Sequence, residues 1–198
     1  MQKDNYKIII GIIIIFIGII ISIIPIFYHK RKNLTEKKYI NNYINTTKKG
    51  KDKKKNKLKE EIESYSMILK IPSIGLEKGI YSINSKYNNL DYGIELMKES
   101  NMPNIENGNL IISGHNGNSK ISYFNTLSKM SIGDYIYIYY SGIKYKYIYT
   151  EKYEEEKDGD ISIIRDNRKT SLILITCKEN TDNKQIVYVS YLDNKTQY

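Results

Sequence analysis

The chain has 198 residues, with 31 Lys/Arg against 22 Asp/Glu and a formal net charge of +9; this length allows one ordinary domain plus accessory segments. The charge is uneven, because residues 1–7 carry +1, residues 30–59 carry +11 and residues 60–198 carry −3. A nucleic-acid-binding domain needs a basic face on a fold, so this distribution argues against that class. The single cysteine cannot form an intramolecular disulfide and leaves the redox compartment open.

The first predicted element is a run of twenty uncharged positions, residues 8–27, "IIIGIIIIFIGIIISIIPIF". As a helix it would be about 30 Å long, which matches the hydrocarbon core of a bilayer. A cleaved signal peptide is the alternative, but its apolar part is usually about 7–15 residues and ends at small residues. We therefore predict an uncleaved, single-pass membrane anchor over residues 1–28.

A basic Lys/Asn-rich linker follows, over residues 29–62. Its composition favours a solvated, disordered spacer, and attraction to anionic lipid or wall polymer is the functional alternative. The positive-inside rule would keep this flank in the cytoplasm, because the N-terminal flank is barely charged.

The remaining domain, residues 63–198, is predicted to be mainly β. "MILKIPSIGLEKGIYSI" reads as an extended pair, and "GDYIYIYYSGIKYKYIYT" alternates around Ser141-Gly142 as a hairpin does. "GNLIISGHNG", "TSLILITC" and "KQIVYVSYL" are further strands. "NNLDYGIELMKES" is the best helix candidate, with Asn89 as a possible cap. Many short strands with one or two short helices predict a small barrel or sandwich.

Two reactive side chains stand at the ends of predicted strands. Cys177 follows "LILIT", and His115 follows "LIIS" and Gly114. Alone, each residue is more often structural, since a lone cysteine is usually a small buried hydrophobe. Together they supply a nucleophile and a proton donor, with no second cysteine for a redox pair and no zinc-binding cluster. Acyl transfer through a thioester is the chemistry that uses both.

At these residues the chain resembles the sortases, membrane-anchored cysteine transpeptidases of Gram-positive bacteria. "LIISGHNG" is similar to the family's strand with Gly-His, "LILITC" to its strand ending in Thr-Cys, and "IVYVSYL" to the next strand. "LKIPSIGL" and "YFNTLSKMSIGDYIYIY" resemble its opening strand and the segment before its central hairpin. The resemblance runs from about Ser66 to Leu192.

The resemblance implies a closed, eight-stranded β-barrel that cleaves an LPxTG-like sorting signal and transfers the acyl group to an amine. Cys177 would be the nucleophile, His115 the general acid/base, and Thr176 part of the floor of the substrate groove. The substrate would be a surface protein or pilin, and the acceptor a peptidoglycan precursor or a pilin lysine. The domain would lie outside the cell membrane, and neither cofactor nor metal is implied.

One family feature is missing. Sortases carry an arginine at the start of the strand after the cysteine, whereas this chain has Gln185 there, with Lys184 beside it. Gln offers a neutral hydrogen bond, and Lys offers charge without a planar fork. The alternative function is therefore a non-catalytic relative that binds peptide or assists pilus assembly. A papain-like peptidase fits badly, because that family has its cysteine before its histidine.

Overall fold

The structure, a computed structural model, describes residues 5–48, 65–159, 161–181 and 183–198. The chain divides into two compact units, Met1–Asn41 and Asn42–Tyr198. A long helix, α1 (Asn5–Lys48), includes the span Ile9–Phe27, which is long and apolar enough to cross a membrane. Isoleucine is β-branched and a mediocre helix former in water. A helix suits this run in lipid, where every backbone group must be paired within the segment.

The helix continues through residues 29–48, so the expectation of a disordered spacer there is wrong. Tyr43, Ile44 and Thr47 lie on one helical face and are partly buried. The Tyr43 hydroxyl donates to the Ser66 carbonyl at 2.7 Å, and the Thr47 and Tyr198 hydroxyls are 2.8 Å apart. These contacts give the end of α1 a fixed place in the second unit. The rest of the predicted linker, residues 49–62, lies outside the described residues.

The second unit contains one eight-stranded sheet. Its strands are β1 (Tyr65–Ile71), β2 (Leu76–Tyr81), β3 (Ile94–Leu96), β4 (Asn109–Gly114), β5 (Tyr135–Tyr140), β6 (Ile143–Glu156), β7 (Ser171–Cys177) and β8 (Lys184–Gln197). Their order is β2-β1-β5-β6-β8-β7-β4-β3, and the two edge strands contact each other, so the sheet is nearly closed. The predicted β-barrel is confirmed. Neighbouring strands are antiparallel except for β4 and β7, which are parallel.

The predicted hairpin joins β5 to β6. Tyr140 pairs with Ile143, which leaves Ser141 and Gly142 as a two-residue turn. Both have positive φ, 49° and 80°, as a type I′ turn requires. The extended pair at the start of the domain is also confirmed, as β1 and β2 with a short 3₁₀ turn (Pro72–Ile74) between them.

The helix predicted over residues 88–100 is wrong, because this segment is a 3₁₀ turn (Leu90–Tyr92) followed by β3. The proposed cap is present, since Asn89 Oδ1 accepts a hydrogen bond from the Asp91 amide. Gly93 then adopts a φ of 119°, which stops the helix after one turn. The apolar spacing that suggested a helix belongs in part to alternate, buried positions of a strand.

Both faces of β7 are buried, and this decides where its last residue lies. Leu172 and Leu174 face the barrel core, whereas Ile173 and Ile175 face outward. The outward residues belong to a second apolar cluster, which we call the outer cluster: Ile111, Ile173, Ile175, Val187 and Val189, with Met97, Tyr153, Ile161, Ile163 and Tyr191 packed against them. The β6–β7 connection therefore covers this side of the sheet.

Candidate active site

Cys177 is the last residue of β7 and the point at which the strand leaves the protein interior. The six preceding residues are buried, whereas Cys177 is partly exposed and its thiol is free. Side chains alternate along a strand, so Cys177 shares the outward face with Ile173 and Ile175. The thiol thus stands at the end of the outer cluster, on the one residue of β7 that is not buried.

The parallel pairing of β4 with β7 brings His115 to the same place. The register pairs Ser113 with Ile175, and His115 follows directly after β4. Two hydrogen bonds flank this position: Thr176 Oγ1 donates to the Gly114 carbonyl at 2.7 Å, and Asn116 Nδ2 donates to the Cys177 carbonyl at 2.9 Å. Parallel strands end at the same edge of a sheet, so His115 and Cys177 lie at neighbouring strand ends.

The segment around His115 is fixed from behind by Phe124. The Phe124 amide donates to the His115 carbonyl at 3.0 Å. The Phe124 ring, 1% exposed, lies so close to Gly114 that an added Cβ would be 2.7 Å from its Cδ2 atom. Gly114 is therefore needed for close packing, and this explains the glycine before the histidine in physical terms.

Asn116 is a site residue that the sequence analysis missed. Its amide nitrogen holds the end of β7, while its Oδ1 accepts from the Gly117 amide at 2.9 Å. This side chain ties the loop after β4 to the cysteine. No pattern in one sequence could reveal it, since Asn116 and Cys177 are 61 residues apart.

Thr176 is buried, and its place on the floor of a substrate groove stays a prediction. Its side chain points into the barrel and is 3% exposed, with its hydroxyl donated to Gly114. This placement favours holding β4 and β7 together over contact with a substrate.

The two candidate substitutes for the missing arginine lie on different faces of β8. Gln185 is paired directly with Cys177 and shares its face. The Gln185 side chain is buried, and its Nε2 atom donates to the Glu156 carbonyl at 3.4 Å. Lys184 therefore points to the opposite face, where its ammonium is 3.8 Å from Glu154 and 3.7 Å from Glu156.

The cation at the thiol comes from another strand. Lys157, directly after β6, has its Nζ atom 3.7 Å from Cys177 Sγ. Lys178, which is adjacent to the cysteine in sequence, instead pairs with Glu154 at 2.6 Å. The hydrogen bond from Lys178 lowers the pKa of Glu154 below its ordinary value. In the sequence, Lys157 lies within the acidic run "EEEKDGD", and nothing local connects it with Cys177.

These groups suit nucleophilic chemistry on a carbonyl. The Cys177 thiol has an ammonium 3.7 Å away and lies at a strand end next to that of His115, and acyl transfer through a thioester uses a nucleophile and a proton donor of these kinds. Within the described residues, no group of three or more His, Cys, Asp or Glu side chains could hold a metal ion.

Comparison with known proteins agrees with this architecture. The fold resembles sortase A of Listeria monocytogenes (23% identity, TM-score 0.57, covering 68% of this chain and 90% of that chain). It also resembles a sortase D5 transpeptidase of Clostridium perfringens (22% identity, TM-score 0.60, covering 80% and 98%). Sortase C of Streptococcus pneumoniae is similar too (19% identity, TM-score 0.58, covering 70% and 74%).

Identities at this level show the fold, and the family follows from the sequence match. A search of the curated proteins returned no significant match. The sortase domain family matches residues 69–192, which run from the end of β1 into β8 and include the strand ends that carry His115 and Cys177. Because this match covers well over half of the 198 residues, the chain belongs to the sortase family.

Proposed function

We propose that this protein is a cysteine transpeptidase that cleaves an LPxTG-like sorting signal and joins the acyl part to an amine. The observation that supports this most directly is the position of His115 and Cys177 at adjacent strand ends, which the Thr176 and Asn116 hydrogen bonds join. The thiol is partly exposed there, with the Lys157 ammonium 3.7 Å away.

The reaction has two acyl-transfer steps. The Cys177 thiolate attacks the carbonyl carbon of the scissile peptide bond, and the C=O electron pair moves onto oxygen. When the C=O bond re-forms, the C–N bond breaks and the His115 imidazolium protonates the departing amine. The acceptor amine then attacks the thioester carbonyl carbon and gives its proton to His115, and the C–S bond breaks to restore the thiolate.

The substrate we propose is a surface protein or pilin with a sorting signal, and the acceptor is a peptidoglycan precursor or a pilin lysine. These are extracellular molecules, so the domain would lie outside the cell, anchored by the apolar span Ile9–Phe27. Protease treatment of intact cells should digest the domain. Protection until lysis would mean that the basic flank after the anchor sets a cytoplasmic location.

The test of activity uses the full-length protein in detergent micelles. It is incubated with a library of LPxTG-like peptides and an amine, and mass spectrometry detects both joined product and an acyl adduct on Cys177. Cys177→Ala should stay folded and lose all joining, and His115→Ala should lower turnover by about 10²–10⁴-fold. Joining by a folded Cys177→Ala protein would falsify the thioester mechanism.

A second function is favoured by one observation, the neutral Gln185 opposite Cys177 where sortases carry arginine. A non-catalytic relative would bind sorting peptides, or assist pilus assembly, without forming an adduct. Saturable peptide binding with no Cys177 adduct and no joined product, over the whole library, would support this alternative.

A further inference from the structure

A lysine that follows β6 supplies the positive charge at the Cys177 thiol. In the sheet, β8 lies between β6 and the cysteine strand β7. Lys157 Nζ contacts Cys177 Sγ at 3.7 Å. In the order β6-β8-β7, the lysine must reach across the first residues of β8 to do so. The arginine expected at the start of β8 is missing, so β8 itself places no cation at the thiol. The Lys157 contact provides a cation there instead.

Hydrogen bonds fix the backbone at the end of β6 and at the start of β8, the two segments that place the Lys157 side chain. Glu156, the last residue of β6, pairs with Lys184, and the next amide, that of Lys157, donates to the Asn183 carbonyl at 2.7 Å. Glu155 pairs with Gln185, so strand alternation puts residues 155 and 157 on the same face as Gln185 and Cys177. The lysine is therefore directed to the thiol by the strand register.

Gln185 contributes to the same placement. Its amide donates to the Glu156 carbonyl, immediately before Lys157, while its backbone is paired with Cys177. Gln185, which occupies the position where an arginine is expected, therefore helps to hold the strand end that carries the charged Lys157.

We propose that Lys157 is the cationic residue of this active site and that Gln185 is a positioning residue for it; the catalytic part of this proposal rests on the proposed function. The ammonium stabilises the Cys177 thiolate and then the oxygen that becomes anionic, which is two bonds from Sγ in the intermediate. It keeps its own protons throughout. Electrostatic stabilisation of this kind requires only a fixed cation where negative charge develops.

The other nearby lysines have a different task. Lys178 and Lys184 pair with Glu154 and Glu156 on the opposite face of the strands. Their charges are largely compensated there, so we assign them to holding the ends of β6, β7 and β8 together.

Alkylation of the full-length protein tests the charge directly, because Cys177 is its only thiol. Iodoacetate and iodoacetamide are similar in size, but only iodoacetate is anionic. The rate of alkylation by iodoacetate divided by the rate with iodoacetamide therefore reports the charge near the thiol. Changes in access to the thiol or in its thiolate content affect both rates and cancel in this ratio. Lys157→Met should lower this ratio by about two- to fivefold, the effect of an exposed charge pair. Lys157→Arg should keep it. Lys152→Met removes the same charge farther back on β6 and should leave the ratio unchanged.

An unchanged ratio in a folded Lys157→Met protein would overturn the proposal, as would an equal fall in Lys152→Met.

The catalytic part is measured separately, as turnover of the best library peptide. Lys157→Met should lower kcat by about 10–100-fold with little change in KM, since the charge acts mainly on the transition state. Gln185→Leu should lower the alkylation ratio in the same direction, because Lys157 loses its support. If wild type joins no peptide but the ratio falls, the cation assignment stands and the proposed function fails.

Discussion

Replacing Gly114 by alanine should disturb the active site through Phe124. The added Cβ would lie 2.7 Å from Cδ2, 2.8 Å from Cγ and 3.0 Å from Cε2 of the Phe124 ring. Carbon atoms normally approach to about 3.5–4.0 Å, so the ring must move by roughly 1 Å. Phe124 is 1% exposed and tightly packed, and such overpacking costs about 1–3 kcal/mol.

The movement should also reach His115, because the Phe124 amide holds the His115 carbonyl. We therefore expect Gly114→Ala to lower both the free energy of unfolding and the turnover of sorting peptide. The first is measured by urea denaturation in detergent micelles, and the second by mass spectrometry of joined product.

A double-mutant cycle isolates the cause. Phe124→Leu alone should destabilise by removing part of a buried ring, but it makes room for the new methyl group. Gly114→Ala with Phe124→Leu should then be more stable than the sum of the single changes by about 1 kcal/mol or more. Additivity within about 0.5 kcal/mol would refute the reasoning, since it would show that the ring is not what the glycine accommodates.

Four further predictions concern β6 and β8. Within the described residues the buried Tyr147 hydroxyl has no hydrogen-bond partner, so Tyr147→Phe should leave the free energy of unfolding unchanged or raise it by up to about 1 kcal/mol. Tyr153→Phe should lower it in the same denaturation experiment, because that hydroxyl bonds Ser162 and Ile164. Burial raises the pKa of Tyr188 to about 12 from 10.0, which favours the neutral hydroxyl in the folded state. This contribution to stability is complete below about pH 10 and is lost as the pH rises toward 12, so the urea midpoint should fall less over that range in Tyr188→Phe. Finally, Gln185→Arg should raise turnover whereas Lys184→Arg should not, because only position 185 shares a face with Cys177; the opposite result would contradict the β7–β8 register.

The strands were predictable because their signals are local. The alternation around Ser141-Gly142 and the apolar run before Cys177 each identify a strand without help from the rest of the chain. The false helix over residues 88–100 had a real cap at Asn89, but Gly93 permits a backbone conformation that ends the turn at once. Helical residues 29–48 were missed because the apolar face with Tyr43 and Ile44 is short and flanked by asparagine, threonine and lysine.

The active site was predictable only in part, for a related reason. His115 and Cys177 were identified by residue type and by their place after apolar runs. The contacts of Asn116 and Lys157 depend on which strands are neighbours, and composition carries no such information. Lys157 is 20 residues from Cys177 in the chain and lies in an acidic stretch, so only the β6–β8 register reveals where it points.

The parallel pairing of β4 with β7 also governs when the candidate active site can form during synthesis. Gly114 and Thr176, whose hydrogen bond joins β4 to β7, are 62 residues apart. At a translation rate of about 5–20 residues per second, β4 leaves the ribosome roughly 3–12 seconds before β7. β7 then lies between β4 and β8, so one edge of β7 stays unpaired until β8, the last strand, has been synthesised. Nascent chains should therefore carry the thiol and the imidazole apart until the whole domain has emerged. The reactive pair is in this sense a product of complete folding, and a truncated chain would expose its cysteine without its partner.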